Sequence, residues 1–165
     1  MTRETSSIDR IADKWVDTSA ELSPSFATYI GRDIGKDKID DASPEAHARY
    51  VSEMRKVLAE LDGAKPVDKV DEVTLDALRE NLNLGVEIAE SGLWKRDLDV
   101  IASPAQGFRE IFDLSPTATE DDWKNISARL SAIPGAVDGY IRSLKEGIAA
   151  NDAPARRQVE WVLNE

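Results

Sequence analysis

Apolar positions recur at intervals of three and four along most of this chain, and runs of polar residues, Gly and Pro cut that rhythm into segments. Ile8, Ile11, Ala12, Trp15, Val16, Ser19 and Leu22 form one stripe, so residues 7–22 read as an amphipathic helix. Pro24 opens a short helical segment, PSFATYI, which Gly31 stops. Residues 32–41 alternate charges with glycine and read as a surface loop. Ser43-Pro44-Glu45 starts a second long helix that runs to about Leu61 with the stripe Tyr50, Val51, Met54, Val57, Leu58 and Leu61, and Gly63 lies just past its end. A third runs from about Val67 to Glu90 through Val70, Leu75, Leu78, Leu82, Val86 and Ala89. The turn between Gly63 and Pro66 is short, which makes this pair antiparallel neighbours. Gly85, in mid-helix, costs ~1 kcal/mol against Ala and implies close packing of a neighbouring helix or ring.

After an apolar connector over 93–102, the punctuation predicts four more helices, roughly 104–113, 120–132, 135–149 and 154 to the end. Ser103-Pro104 is a cap followed by proline at the first helical position. Thr119-Glu120-Asp121-Asp122 resembles a capping box and places carboxylates in the positive first turn. Pro134 and Pro154 each read as a helix start. Phe108 and Phe112, four apart, are expected to face inward together. No strand-period segment longer than four residues, repeat or low-complexity tract interrupts the pattern. The expected fold is all-α, an antiparallel array of about six to eight helices forming a single helical domain over 1–165.

Composition narrows the classes of partner. With 41% apolar and 32% charged residues, the chain reads as globular. A net charge of −11 argues against sequence-independent binding to nucleic acid and against docking on anionic membranes. No apolar run approaches the ~20 residues of a membrane span. The polar start MTRETSSIDR carries no secretory signal, and there is no cysteine. Together these suit a cytoplasmic location.

Candidate chemistry is sparse. His47 is the only histidine and reads as a surface helical residue, since zinc needs three or four ligands and no second histidine is near in sequence. No metal site and no catalytic set can be assembled. Asp37, Asp40 and Asp41 lack the central Gly and terminal Glu of a calcium loop and read as solvated acids. Glu120, Asp121 and Asp122 are accounted for by the helix dipole. Trp15, Trp94, Trp123, Trp161, Phe26, Phe108 and Phe112 at helical spacings read as core residues rather than a ligand-stacking set.

Several phrases occur together in order: Phe26-Ala27-Thr28-Tyr29-Ile30-Gly31, Asp40-Asp41-Ala42-Ser43-Pro44-Glu45-Ala46, Ser103-Pro104-Ala105-Gln106, Arg109-Glu110-Ile111-Phe112-Asp113, Ala128-Arg129-Leu130-Ser131-Ala132-Ile133-Pro134, Ser143-Leu144-Lys145-Glu146-Gly147 and Arg156-Arg157-Gln158-Val159-Glu160. In these the chain resembles the N-terminal part of domain of unknown function 885 proteins, a bacterial family whose members look like all-helical zinc peptidases. The family's His-Glu-x-x-His-like motif, on a later helix, is absent here. The resemblance implies a cleft-wall or lid region that lacks the metal motif and is catalytically silent alone. It implies a peptide substrate bound jointly with a missing C-terminal region, and zinc only in the full-length parent. It also raises Arg156, Arg157 and Gln158 from surface residues to candidates for contacting a peptide carboxylate or backbone, with Arg109 a weaker one. The pattern at Val159, Val162 and Leu163 continues without a C-cap glycine, as if the chain were cut there, and exposes apolar surface through which the C-terminal helix could self-associate. The competing reading is a stand-alone acidic helical binding or scaffold module.

Overall fold

Caps and prolines set where most helices start. In the computed structural model, which describes residues 3–164, α1 spans Ser7–Leu22. The Ser6 hydroxyl accepts from the Asp9 amide at 3.0 Å, and the Asp9 carboxylate accepts from the Ser6 amide at 2.8 Å. Ser23 ends α1 and caps α2, Pro24–Tyr29, before Gly31 turns the chain at φ +72°. α3 is Pro44–Asp62, capped by Ser43, and α4 is Lys69–Glu90, capped by Asp68. A 3₁₀ turn over Leu93–Arg96 follows Gly92. Then come α5, Pro104–Asp113, α6, Glu120–Ala149, and α7, Arg156–Val162. The described residues thus form seven α-helices and no strand, an all-α array. No described helix is long and apolar enough to cross a membrane.

Three expectations need correction. Pro134 does not start a helix; it lies inside the 30-residue α6. A proline there forgoes one backbone hydrogen bond at a cost of ~3 kcal/mol. Pro134 is exposed, as is Leu130, whose carbonyl loses the bond, so water can serve that carbonyl and packing elsewhere along α6 keeps the helix continuous. Ser103 sits at the N-cap of α5 but makes no cap bond, because its hydroxyl turns to the Asp99 carbonyl and the Gln106 side chain. Phe108 is buried, yet its inward companion is Ile111; Phe112, one position on, is only half-buried. In addition, α7 begins two residues after Pro154.

Two clusters hold the chain together. The first joins α1, α3 and α4 through Ile8, Met54, Val57, Leu61, Leu75 and Leu82, with Trp15 edge-on to Tyr50 at 5.7 Å. Arg79 reaches the Leu61 carbonyl at 2.9 Å near one end of the α3–α4 pair, and Arg55 pairs with Glu90 near the other, as antiparallel helices require. Gly85 is explained here: a Cβ would sit 2.8 Å from the Met54 sulfur of α3. At the rim Arg3 binds Asp9, Asp68 and the fully buried Asp71, which also accepts from Ser6 at 2.7 Å and the Val67 amide at 3.0 Å.

The second cluster gathers Ala42, Phe108, Ala136 and Tyr140. Here α6 packs on loop backbone, and its inner face is accordingly small or hydrogen-bonding: Arg129, Ala136, Gly139, Tyr140, Ser143 and Gly147. Arg129 donates to the Lys38 carbonyl at 3.0 Å, Ser143 to that of Ala42 at 2.6 Å and Tyr140 to that of Asp97 at 2.5 Å. A Cβ on Gly147 would come within 2.3 Å of the Lys95 carbonyl oxygen. The outer side of α6 is the reverse. Trp123, Leu130 and Ile148 are 58%, 56% and 60% exposed, and Ile141 is exposed as well. At 100° per residue these four fall within about 20° of one line, over roughly 37 Å of helix.

Candidate functional site

The local sequence of α7 decides what Arg156, Arg157 and Gln158 can do. The helix has no side-chain cap, and its first turn carries both arginines. Arg156 points into solvent and binds Glu160 one turn on, Nε to Oε1 at 2.7 Å. Arg157 lies over the Trp161 ring at 5.2 Å. Gln158 is half-buried, and its buried Oε1 has no hydrogen-bond partner. It lines an open hollow with Arg96, Asp97, Asp99 and Pro154. The three residues therefore share a helix but face different surroundings, and of the three it is Gln158 that lines this hollow. Arg109 is exposed on α5 beside a shallow depression that Val162 of α7 also borders.

A cavity of about 420 Å³ lies among the end of α1, the chain before α3, the first turns of α3 and the start of α5. Tyr50 and Phe108 give it apolar wall; Asp40, Asp41, His47, Arg49 and Asp97 give it charge of both signs. Helical spacing places His47, Arg49 and Tyr50 within one turn of α3, and the Ser43 cap fixes that turn. The imidazole stacks on Trp94, ring centres 4.4 Å apart and planes 19° apart. Trp94 is itself anchored by its indole N–H on the Ala89 carbonyl at 3.0 Å. Burial lowers the His47 pKa, and the charge of Asp41 opposes that shift. Desolvation raises the Asp97 carboxyl, with the Asp99 charge adding to it. Burial also pushes the Tyr140 phenol up to about 12.

His47 is thus a half-buried stacking residue, not the surface histidine expected from its isolation in the sequence. Its described partner is an aromatic ring; an orienting carboxylate, as general-base work needs, is not what holds it. Zinc does not fit: no group of three or more His, Cys, Asp or Glu able to hold a metal occurs among the described residues. The loop acids serve structure. Asp40 accepts from the Ser25 amide at 2.9 Å and from the hydroxyls of Ser23 and Ser25, and Asp41 accepts from the Ser43 amide at 2.9 Å. Of the aromatic residues expected in the core, Trp123 and Trp161 are instead mostly exposed, and Phe26 borders on exposure.

Sequence reasoning missed the His47–Trp94 stack, the buried Asp71 and the buried Arg129. The stack joins residues 47 apart in sequence, beyond the reach of helical periodicity. Arg129 did carry a signal: it shares the inner face of α6 with Ala136, Gly139 and Ser143, a run of small residues that marks close backbone approach.

The model of a family described as bacterial protein of unknown function (DUF885) matches residues 24–165. No curated protein matches the chain.

Proposed function

This chain belongs to the DUF885 family, and on that footing we propose that it forms a helical wall or lid of a peptide cleft in a zinc-metallopeptidase-like protein. The observation that carries the reading is the inverted α6, whose large apolar residues Trp123, Leu130, Ile141 and Ile148 face outward in one line. A helix with apolar surface on its outer side is built to pack on both sides. In this reading further helices of the protein cover that line, and any zinc is held outside the residues described. The mixed-charge cavity beside His47 and Phe108 then opens onto the cleft. Arg156, Arg157 and Gln158 stand at its edge, where an arginine released from Glu160 or Trp161 meets a peptide carboxylate. The exposed Trp161 and Leu163 of the C-terminal turn give a second contact, through which the isolated chain self-associates. The acidic charge fits a cytoplasmic protein that binds neither nucleic acid nor anionic membrane.

The decisive experiment uses a DUF885 protein that carries this region together with a His-Glu-x-x-His helix. Replacing Leu130 and Ile141 with Glu should lower its zinc-dependent hydrolysis of short peptides. In the 165-residue chain the same pair should weaken hydrophobic-dye binding while leaving the helical circular dichroism unchanged. Peptide hydrolysis indifferent to the pair would overturn the wall reading. A monomeric chain that binds no dye would favour the stand-alone acidic module.

A further inference from the structure

Arg129 is 2% exposed, yet its three hydrogen bonds all go to neutral acceptors. Nε donates to the Lys38 carbonyl at 3.0 Å, Nη1 to Ser115 Oγ at 2.7 Å and Nη2 to Thr28 Oγ1 at 2.8 Å. A guanidinium has five N–H donors, so one on each terminal nitrogen is left over. No carboxylate among the described residues bonds to it. Burial depresses its pKa; Asp40 and Asp37 oppose this from a distance, and Asp40 is already engaged by Ser23 and Ser25. A buried, hydrogen-bonded cation without a counter-ion is costly to keep for structure alone, because a neutral donor could serve the same acceptors.

Arg129 lines a cavity of about 360 Å³ between the chain after α2, the link after α5 and the first turns of α6. Arg32 and Lys36 add two cations to its lining, and Asp33 and Asp122 add two carboxylates. Arg32 is paired with Asp17 at 3.4 Å, which leaves Arg129 as the lining cation without an ion pair among the described residues, in a chain whose net charge is −11. Lys36 pairs with Asp33 at 2.7 Å, and Asp122 is taken up in the α6 capping box, accepting from the Thr119 amide at 2.8 Å. Leu114 and Pro116 supply apolar wall.

We propose that this cavity binds a small organic monocarboxylate, gripped by the remaining fork of Arg129 with its hydrocarbon part against Leu114 and Pro116. The planar fork matches a carboxylate in bidentate geometry. The one unpaired cation, Arg129, suits a monoanion, whereas a phosphate dianion would bring a second charge to face Asp33 and Asp122. The site lies on a different side of α6 from the Trp123–Ile148 line, so it stands or fails independently of the cleft-wall reading.

The test titrates the whole chain with benzoate, with inorganic phosphate and with chloride at matched ionic strength, followed by amide NMR. Benzoate should shift the amides of Gly31, Ser115 and Asn125 saturably, and Arg129→Gln should weaken its Kd by about tenfold or more. If that variant does not fold, the rim pair Arg32→Gln/Lys36→Gln carries the test, because both residues are exposed, and its Kd should rise as well. The proposal is overturned by shifts no larger than those with chloride, by a preference for phosphate, or by unchanged benzoate affinity in whichever of these variants folds.

Discussion

The α1–α3–α4 cluster and the helix α6 handle apolar residues in opposite ways. In the first, Ile8, Leu61 and Leu82 are sealed between helices, and the inward stripes are the ones periodicity marks. In α6 the sealed face is Arg129, Ala136, Gly139, Tyr140, Ser143 and Gly147, flanked by the half-buried Ile133, Val137 and Leu144, while Trp123, Leu130, Ile141 and Ile148 point outward. The difference follows from what each packs on. Helix against helix interlocks aliphatic side chains. Helix against loop meets carbonyls, which need donors and close approach. α4 shares some of this double character, since Val70, Val73, Leu84 and Ile88 remain exposed opposite its core stripe.

The largest effect should come from exchanging matched leucines. Leu61→Ala, at a fully buried site, should cost ~2–5 kcal/mol. Leu130→Ala on the outer line should stay within ~0.5 kcal/mol in the isolated chain. Denaturant midpoints measure both, and equal losses would break the contrast between the two regions.

That contrast also explains what could be read from sequence. The first four helices are legible because α1, α3 and α4 carry clear apolar stripes and Pro24 and Ser43-Pro44 mark the starts of α2 and α3; the caps at Ser6, Ser23 and Asp68 come from the structure. The sequence reads α6 as two helices because Pro134 normally breaks a ladder, and the small residues on the Arg129–Ser143 face mark close packing without saying that it carries the helix across the proline. The spacing from Phe108 places Phe112 inward, but Ile111, three residues after Phe108, takes that face. The candidate site was less legible still. His47 acquires its character from Trp94, and Gln158 its buried oxygen from a hollow built by residues about 60 positions earlier.

Glycine substitutions sharpen the comparison along one helix. Gly147→Ala should destabilise by ~1–3 kcal/mol, because the new methyl meets the Lys95 and Asp152 carbonyl oxygens. Gly135→Ala meets nothing within 4 Å and should stabilise by up to about 1 kcal/mol through helix propensity. Thermal unfolding of the two variants should move in opposite directions. Movement in the same direction would mean that the inner face of α6 is not closely packed on the 3₁₀ turn.

Acid should weaken the rim of the first cluster. Arg3 and backbone amides hold Asp9 and Asp68 below the usual carboxylate range, the Ser6 amide leading for Asp9 and Arg3 leading for Asp68. A depressed folded-state pKa gives stability that is present above the unfolded value, ~4, and is lost as pH falls through the folded one. Arg3→Gln should flatten the fall in stability below that pH. An unchanged acid limb would show that the Arg3 contacts contribute nothing to it.

The smallest effect, and the most direct test of the site, belongs to His47. Burial against Trp94 favours the neutral imidazole in the folded chain, so its pKa lies below the unfolded ~6.5. Between those two values the unfolded chain binds the extra proton, so stability is full above ~6.5 and declines as pH falls toward the folded pKa. The chain has one histidine, so a single imidazole ε1 proton signal reports the titration without assignment. Its midpoint should lie below ~6.5 and rise toward that value in Trp94→Ala, which removes the stacked ring. The Asp41 charge works in the other direction, so Asp41→Asn should lower the midpoint further. A wild-type midpoint at or above the unfolded value would mean that Asp41 outweighs burial. His47 would then be a cation in the cavity at mildly acidic pH, and the mixed-charge wall beside Phe108 would favour acidic rather than neutral ligands.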